Sequence, residues 1–228
     1  MTGSCLREAR RKKGWTQEDS ARKLRVSQAY LSMLERDRRQ VPDRLMQRLS
    51  KTFGLGPLAL SFRGPETWKK VGATGLATQL ASLGYSGFSY LAGTPAWNPA
   101  ELLLAALTKE ELESRVAEAL PWLVLEYHSM DWDWVVREAK VHDVTNRLGF
   151  VVTLARVVAE QQGKQDVAEK LSSLESTLQR SLLAREDTFC NERMSQAERH
   201  WLREKRTPQA RMWNVLSSLA PEHLSHAT

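Results

Sequence analysis

Cysteine is scarce in this chain of 228 residues: there are two, Cys5 and Cys190, too few for a disulfide framework and in no Cys-x-x-Cys spacing. Both read as unpaired thiols of a reducing cytoplasm. Long apolar runs are missing too. The opening stretch, Met-Thr-Gly-Ser-Cys-Leu-Arg-Glu-Ala-Arg-Arg-Lys-Lys, holds none, so no secretory leader is expected. Val71 to Ala100 carries no charged residue, but its glycines and prolines, mixed with many Ser and Thr, are poor material for a spanning helix. A buried helix followed by a glycine-rich loop suits it better, and no membrane partner is expected. Strand signals are few. No Gly-x-Gly-x-x-Gly follows a strand, and no Gly-Lys-Ser/Thr phosphate loop occurs.

Acid is short at one end only. Residues 1–64 hold 15 Lys/Arg against 6 Asp/Glu, whereas residues 65–228 hold 18 against 21. A basic head of this kind suits a phosphate partner. The same head contains the most telling pattern in the chain, residues 16–35. Two short helical periods, each opened by a hydroxyl N-cap at Thr16 and Ser27, are separated by a tight turn. Asp19 sits where a capping box places its acid. Ala21 is small where helices must cross, and Leu24, Val26, Leu31 and Leu34 supply apolar contacts. One face of the second helix, Gln28, Ala29, Ser32 and Met33, is left free for a major groove. Helices are expected at about Ser4–Lys13, Gln17–Leu24, Gln28–Arg36 and Asp43–Phe53, around a core of Leu6, Ala21, Leu24, Val26, Leu31, Leu34, Leu45, Leu49 and Phe53. Arg36, Arg38 and Arg39 follow the groove-facing helix, where they can grip flanking phosphates.

Residues 4–54 resemble the DNA-binding domain of the Cro/phage-repressor (XRE-type) helix-turn-helix family. The likeness rests on Leu6-Arg7-Glu8-Ala9-Arg10, Trp15-Thr16-Gln17-Glu18-Asp19, Ala21, Leu24, Val26-Ser27-Gln28, Leu31-Ser32, Leu34-Glu35-Arg36 and Leu49-Ser50-Lys51-Thr52-Phe53-Gly54. It implies a lambda-repressor-like bundle, an internal ion pair between Arg10 and Glu35, a phosphate contact at Gln17, and base reading by Gln28, Ala29, Ser32 and Met33. Two positions depart from the family pattern. Ser20 stands where a leucine is usual, and Arg25 replaces a common turn glycine, at a cost of about 1 kcal/mol if the backbone there is left-handed.

The fold class expected overall is all-α: this bundle over residues 1–55, a Gly-Pro-punctuated linker over 56–70 with a short extended piece near Leu58–Phe62, and a larger helical domain over 71–228. In that domain a small-residue helix covers 73–83, and an aromatic loop over 84–97 carries Tyr85, Phe88, Tyr90 and Trp97. Asn98 and Pro99 open the next helix in cap-then-proline order. Thr108 with Glu111 reads as a capping box for a helix containing Leu112, Val116 and Leu120. Asp131 caps a helix with Trp134 and Val135. Residues 145–161 are apolar nearly all round, as a central helix would be. Val167, Leu171, Leu174, Leu178 and Leu182 form a short stripe better suited to internal packing than to a dimer seam. The last helices are expected to hold Trp201, Leu202, Met212, Trp213, Val215 and Leu216.

No catalytic constellation emerges. His128 with Asp131, and His142 beside Asp143, fit helix-end residues better than metal ligands or an acid–base pair. No metal, no cofactor and no enzymatic activity are expected. Trp132 and Trp134 cannot both be buried on one helical face, so one of them either faces a partner or serves a second core layer. Tyr85, Phe88, Tyr90, Trp132 and Trp134 are the candidate partner-binding residues. The reading that emerges is a cytoplasmic, sequence-specific DNA-binding regulator of transcription, a repressor acting as a homodimer on double-stranded DNA. Its helical body fits either neutralisation of a partner protein, as in the antitoxin of a toxin–antitoxin pair that regulates its own operon, or the sensing of a small-molecule effector.

Overall fold

The computed structural model describes residues 3–91, 93 and 96–224, and at 43, 44 and 47 the backbone alone. Among the described residues the chain is all-α apart from two dipeptide strands, and it separates into two compact units. The first comprises residues 3–62 with 96–98; the second comprises the remaining described residues.

In the first unit, α1 (Gly3–Lys12), α2 (Gln17–Leu24), α3 (Gln28–Glu35) and α4 (Asp43–Phe53) form a small bundle, followed by the 3-10 turn η1 (Pro57–Ala59). Helical spacing turns Leu6, Leu24, Leu31, Leu34, Leu45, Leu49 and Phe53 inward, with Ala9 and Ala21 at close crossings. Val26 is half-buried at the rim of this core, because it sits in the turn between helices and not on a helical face. Two helix ends are stopped by a backbone device: Arg25 (φ 53°) and Gly54 (φ 68°) adopt left-handed conformations at the ends of α2 and α4. No extended piece forms at 57–59, where Pro57 starts the 3-10 turn instead. The Asn98 amide donates to the carbonyls of Leu58 and Leu60 at 3.1 and 2.9 Å, holding that turn.

The second unit contains α5 (Pro65–Lys70), α6 (Ala73–Leu83), the 3-10 segment η2 (Ser86–Leu91), α7 (Pro99–Leu107), α8 (Ser114–Glu126), α9 (Trp132–Val141), α10 (Thr145–Gln161), α11 (Gln165–Gln179), α12 (Gln196–Lys205), α13 (Pro208–Met212) and η3 (Pro221–His223). Strands β1 (Asp187–Thr188) and β2 (Val215–Leu216) pair in parallel. All nine residues of α7 are buried, and α10 packs against α8, α9, α11, α13 and both strands. The leucines of α11 are used on α10: Leu171, Leu174 and Leu178 are buried, whereas Leu182 lies beyond the helix and is exposed. The uncharged segment is the buried helix α6 running into η2, with Ala92, Thr94 and Pro95 outside the described residues.

Two expectations are overturned here. Thr108 and Glu111 form no capping box: α8 begins at Ser114, with Glu113 before it and no side-chain cap. The cause is Arg147, whose buried guanidinium collects the carbonyls of Leu107 and Lys109 and makes two-point contact with Asp187 at 2.9–3.1 Å. That anchor draws residues 110–112 alongside 190–192, where Leu112 donates to the Cys190 carbonyl and Glu111 bridges Asn191. Val215 and Leu216 are strand and not helix. Asn214 turns left-handed (φ 52°) just after Trp213, whose ring fills the space left by Gly149.

Candidate nucleic-acid interface

Three residues, Arg25 to Ser27, separate α2 from α3. Thr16 accepts from the Asp19 backbone N–H at 3.1 Å, and Ser27 accepts from the Tyr30 N–H at 3.2 Å, so hydroxyl caps start both helices. Arg25 holds its left-handed turn by donating its N–H to the carbonyls of Ala21 and Arg22. Ala21 and Leu24 on one side, Leu31 and Leu34 on the other, then lock the two helices together. The opposite face of α3 is left to solvent: Gln28, Ala29 and Met33 are exposed and Ser32 is half-buried.

Beneath that face runs a chain of polar contacts. The Glu35 carboxylate is enclosed; Arg10 donates to it from Nε at 2.6 Å and from Nη2 at 3.0 Å, and Gln17 donates from Nε2 at 2.9 Å. Burial pushes the Glu35 pKa up, but the hydrogen bonds from Arg10 and Gln17 and the nearby Arg7 charge outweigh it and hold the group below its ordinary value. Glu35 is therefore ionised and only accepts. This orients the Gln17 amide: its NH2 faces Glu35 and its oxygen faces outward, where it receives the Gln28 Nε2–H at 2.8 Å. Gln28 in turn presents one amide N–H and its carbonyl oxygen to the surface of α3. Arg7 adds a bond from Nη2 to the Glu35 backbone carbonyl at 2.9 Å.

A family model described as helix-turn-helix matches residues 6–60. Those residues form a Cro/C1-type helix-turn-helix domain. Comparison with curated proteins and with solved structures finds no match to the chain.

Arg36, Arg38 and Arg39 of the helix-turn-helix domain are all exposed just beyond α3. The Arg39 guanidinium lies 5.6 Å from the Tyr30 ring centroid. The sequence alone assigns no site role to Tyr30 or Arg7. Arg7 lies one helical turn before Arg10 on the same face, which is the signal that marks it; the Tyr30–Arg39 contact has no comparable pattern. Ser20 is completely buried, and its hydroxyl has no partner among the described residues.

The candidate partner-binding side chains are not brought together on a surface. Tyr85 and Phe88 are core residues with ring centroids 5.5 Å apart, and the Trp122 ring packs at a tilt against Tyr85. Trp132 is half-buried with its indole N–H on the His128 carbonyl at 2.9 Å, and Trp134 is half-buried edge-on to Trp68. Tyr90 alone of the five is exposed, at 70 %. The crowding of aromatic rings under η2 explains this: the loop carries its own small core. The exposed indole is Trp201, on α12, a helix with no buried residue. His128 and Asp131 are split in role: Asp131 accepts from the Trp134 N–H and caps α9. No cluster of three or more metal-ligating side chains occurs among the described residues, and no helix there is long and apolar enough to cross a membrane.

Proposed function

We propose that the protein is a sequence-specific repressor of transcription that lays α3 in the major groove. The single observation carrying this reading is the ordered chain Arg10–Glu35–Gln17–Gln28. It leaves Gln28 with an N–H donor and a carbonyl acceptor side by side, the pair that matches N7 and the N6 amino group of adenine. Ala29, Ser32 and Met33 complete the reading face. Gln17 retains one amide hydrogen for a phosphate, and Arg36, Arg38 and Arg39 supply charge to the flanking backbone. One such domain reads few base pairs, so two copies on half-sites about 34 Å apart are needed for specificity. Nuclease footprinting of the full chain on the DNA upstream of its own gene tests this. An inverted repeat with adenine at the Gln28 position supports it, and the absence of any protected sequence overturns it.

The antitoxin reading draws support from a different feature. Helix α12 stands with every residue at least partly exposed and shows Trp201 at 55 % exposure, chemistry suited to a protein partner. Isolation of the chain from its own host in a fixed ratio with a second protein would favour it.

A further inference from the structure

Helix α3 ends on an acid where a glycine would fit more easily. Asp37 holds a left-handed backbone (φ 54°) just past the helix, a conformation that glycine adopts freely and that, among the other residues, asparagine and aspartate tolerate best. Around it the last carbonyls of α3 find donors. The Asp37 N–H donates to the Leu34 carbonyl at 3.1 Å and the Arg38 N–H to the Met33 carbonyl at 2.9 Å, the two bonds of a Schellman motif. The Glu35 carbonyl accepts from Arg7 Nη2.

The first turn of α1 lies directly against this helix end. A Cβ at Gly3 would stand 2.3 Å from the Leu34 carbonyl oxygen and 2.7 Å from that of Glu35, so only glycine permits so close an approach. The Gly3 N–H is one of the donors that a helix start leaves without an intrahelical partner, and it goes to Asp37 Oδ1 at 2.6 Å. Asp37 is thereby fixed at both its backbone and its carboxylate. Arg36 precedes that fixed point and is carried by the helix, whereas Arg38 and Arg39 follow it and take their direction from the turn. Arg39 comes back toward α3, its guanidinium 5.6 Å from the Tyr30 ring centroid. An acid among three arginines opposes a phosphate partner. A glycine would make the same turn without that penalty, which leaves the contact with Gly3 as what the carboxylate contributes.

We propose that Asp37 is a positioning residue for DNA: its carboxylate, seated on the Gly3 N–H, aims Arg38 and Arg39 at the phosphates beside the groove. This role rests on the proposed DNA reading and deepens it. Binding of the full chain to a mixed-sequence duplex at several salt concentrations tests it without knowledge of the operator. Asp37→Ala and Asp37→Asn both remove the negative charge, so the comparison between them isolates geometry. Asparagine keeps the acceptor oxygen and tolerates the left-handed turn; alanine does neither. Asp37→Asn should retain the salt slope of wild type, and Asp37→Ala should show a slope smaller by about 1–2, one step for each arginine that loses its phosphate. Thermal melts of the three proteins fix a temperature at which all are folded, so a purely structural part for Asp37 would leave the slopes equal. Equal slopes in Asp37→Ala and Asp37→Asn overturn the positioning role and leave the DNA reading in place. A wild type without salt-dependent binding to the duplex overturns both.

Discussion

Gln28 is the base reader in the proposed function, and its amide is oriented from two contacts away, by the ionised Glu35 carboxylate through Gln17. Replacing Gln28 with Ala is expected to cost about 1–3 kcal/mol at one base position, measured as lost discrimination in a competition assay across all four bases there. Uniform weakening at every sequence would show that Gln28 touches no base. Glu35 has a second consequence, for stability against acid. Its pKa is lower in the folded chain than in the unfolded one, so its contribution is complete above the unfolded value, about 4.3, and is lost as pH falls through the folded value. Glu35→Gln should lower unfolding free energy at neutral pH by about 3 kcal/mol and flatten the acid limb of the stability curve; chemical denaturation at several pH values measures both. Ser20 makes the opposite case. A buried hydroxyl without a partner is a liability, so Ser20→Ala should raise stability by about 1 kcal/mol in the same assay.

Helices were the part of this fold most readable in the sequence. The bounds of α2, α4, α6 and α10 are the expected ones, because capping hydroxyls, left-handed stops and apolar periodicity are all local signals. Thr108 and Glu111 show where such signals fail. Their spacing is that of a capping box, but Arg147, some forty residues on, takes the neighbouring carbonyls for itself. The strand pair was hidden for the same reason: Val215 and Leu216 find Asp187 and Thr188 through tertiary packing, and no local alternation announces a two-residue strand. Trp213 ties these elements to α10, with its indole N–H on Thr153 at 2.6 Å and its ring against Gly149. A Cβ at Gly149 would stand 2.3 Å from that ring. Gly149→Ala should therefore destabilise the protein by about 1–3 kcal/mol, although alanine is the better helix former, and a thermal melt followed by Trp fluorescence would register it. A stabilised variant would mean that Trp213 does not occupy that space.

The whole chain divides its labour by charge. The basic excess lies in the first 64 residues with the helix-turn-helix domain, and the rest is mildly acidic. Reading exposure from sequence worked on and just after a short amphipathic helix: Gln28, Ala29, Met33 and the three arginines after α3 are all exposed. It failed for Tyr85 and Phe88, since aromatic composition does not say whether a loop buries its own rings. If Arg38 holds a phosphate, Arg38→Ala should weaken all sequences alike and lower the salt slope by about 1, read from binding isotherms at several salt concentrations.

The most direct measurement is the affinity of the full chain for its footprinted repeat and for single-base variants of it, with wild type and Gln28→Ala side by side. The expected result is a preference for adenine at one position in each half-site, present in wild type and gone in the variant, with binding at all other positions intact. Equal base preference in the two proteins, or no sequence preference in wild type at any salt concentration, would contradict it.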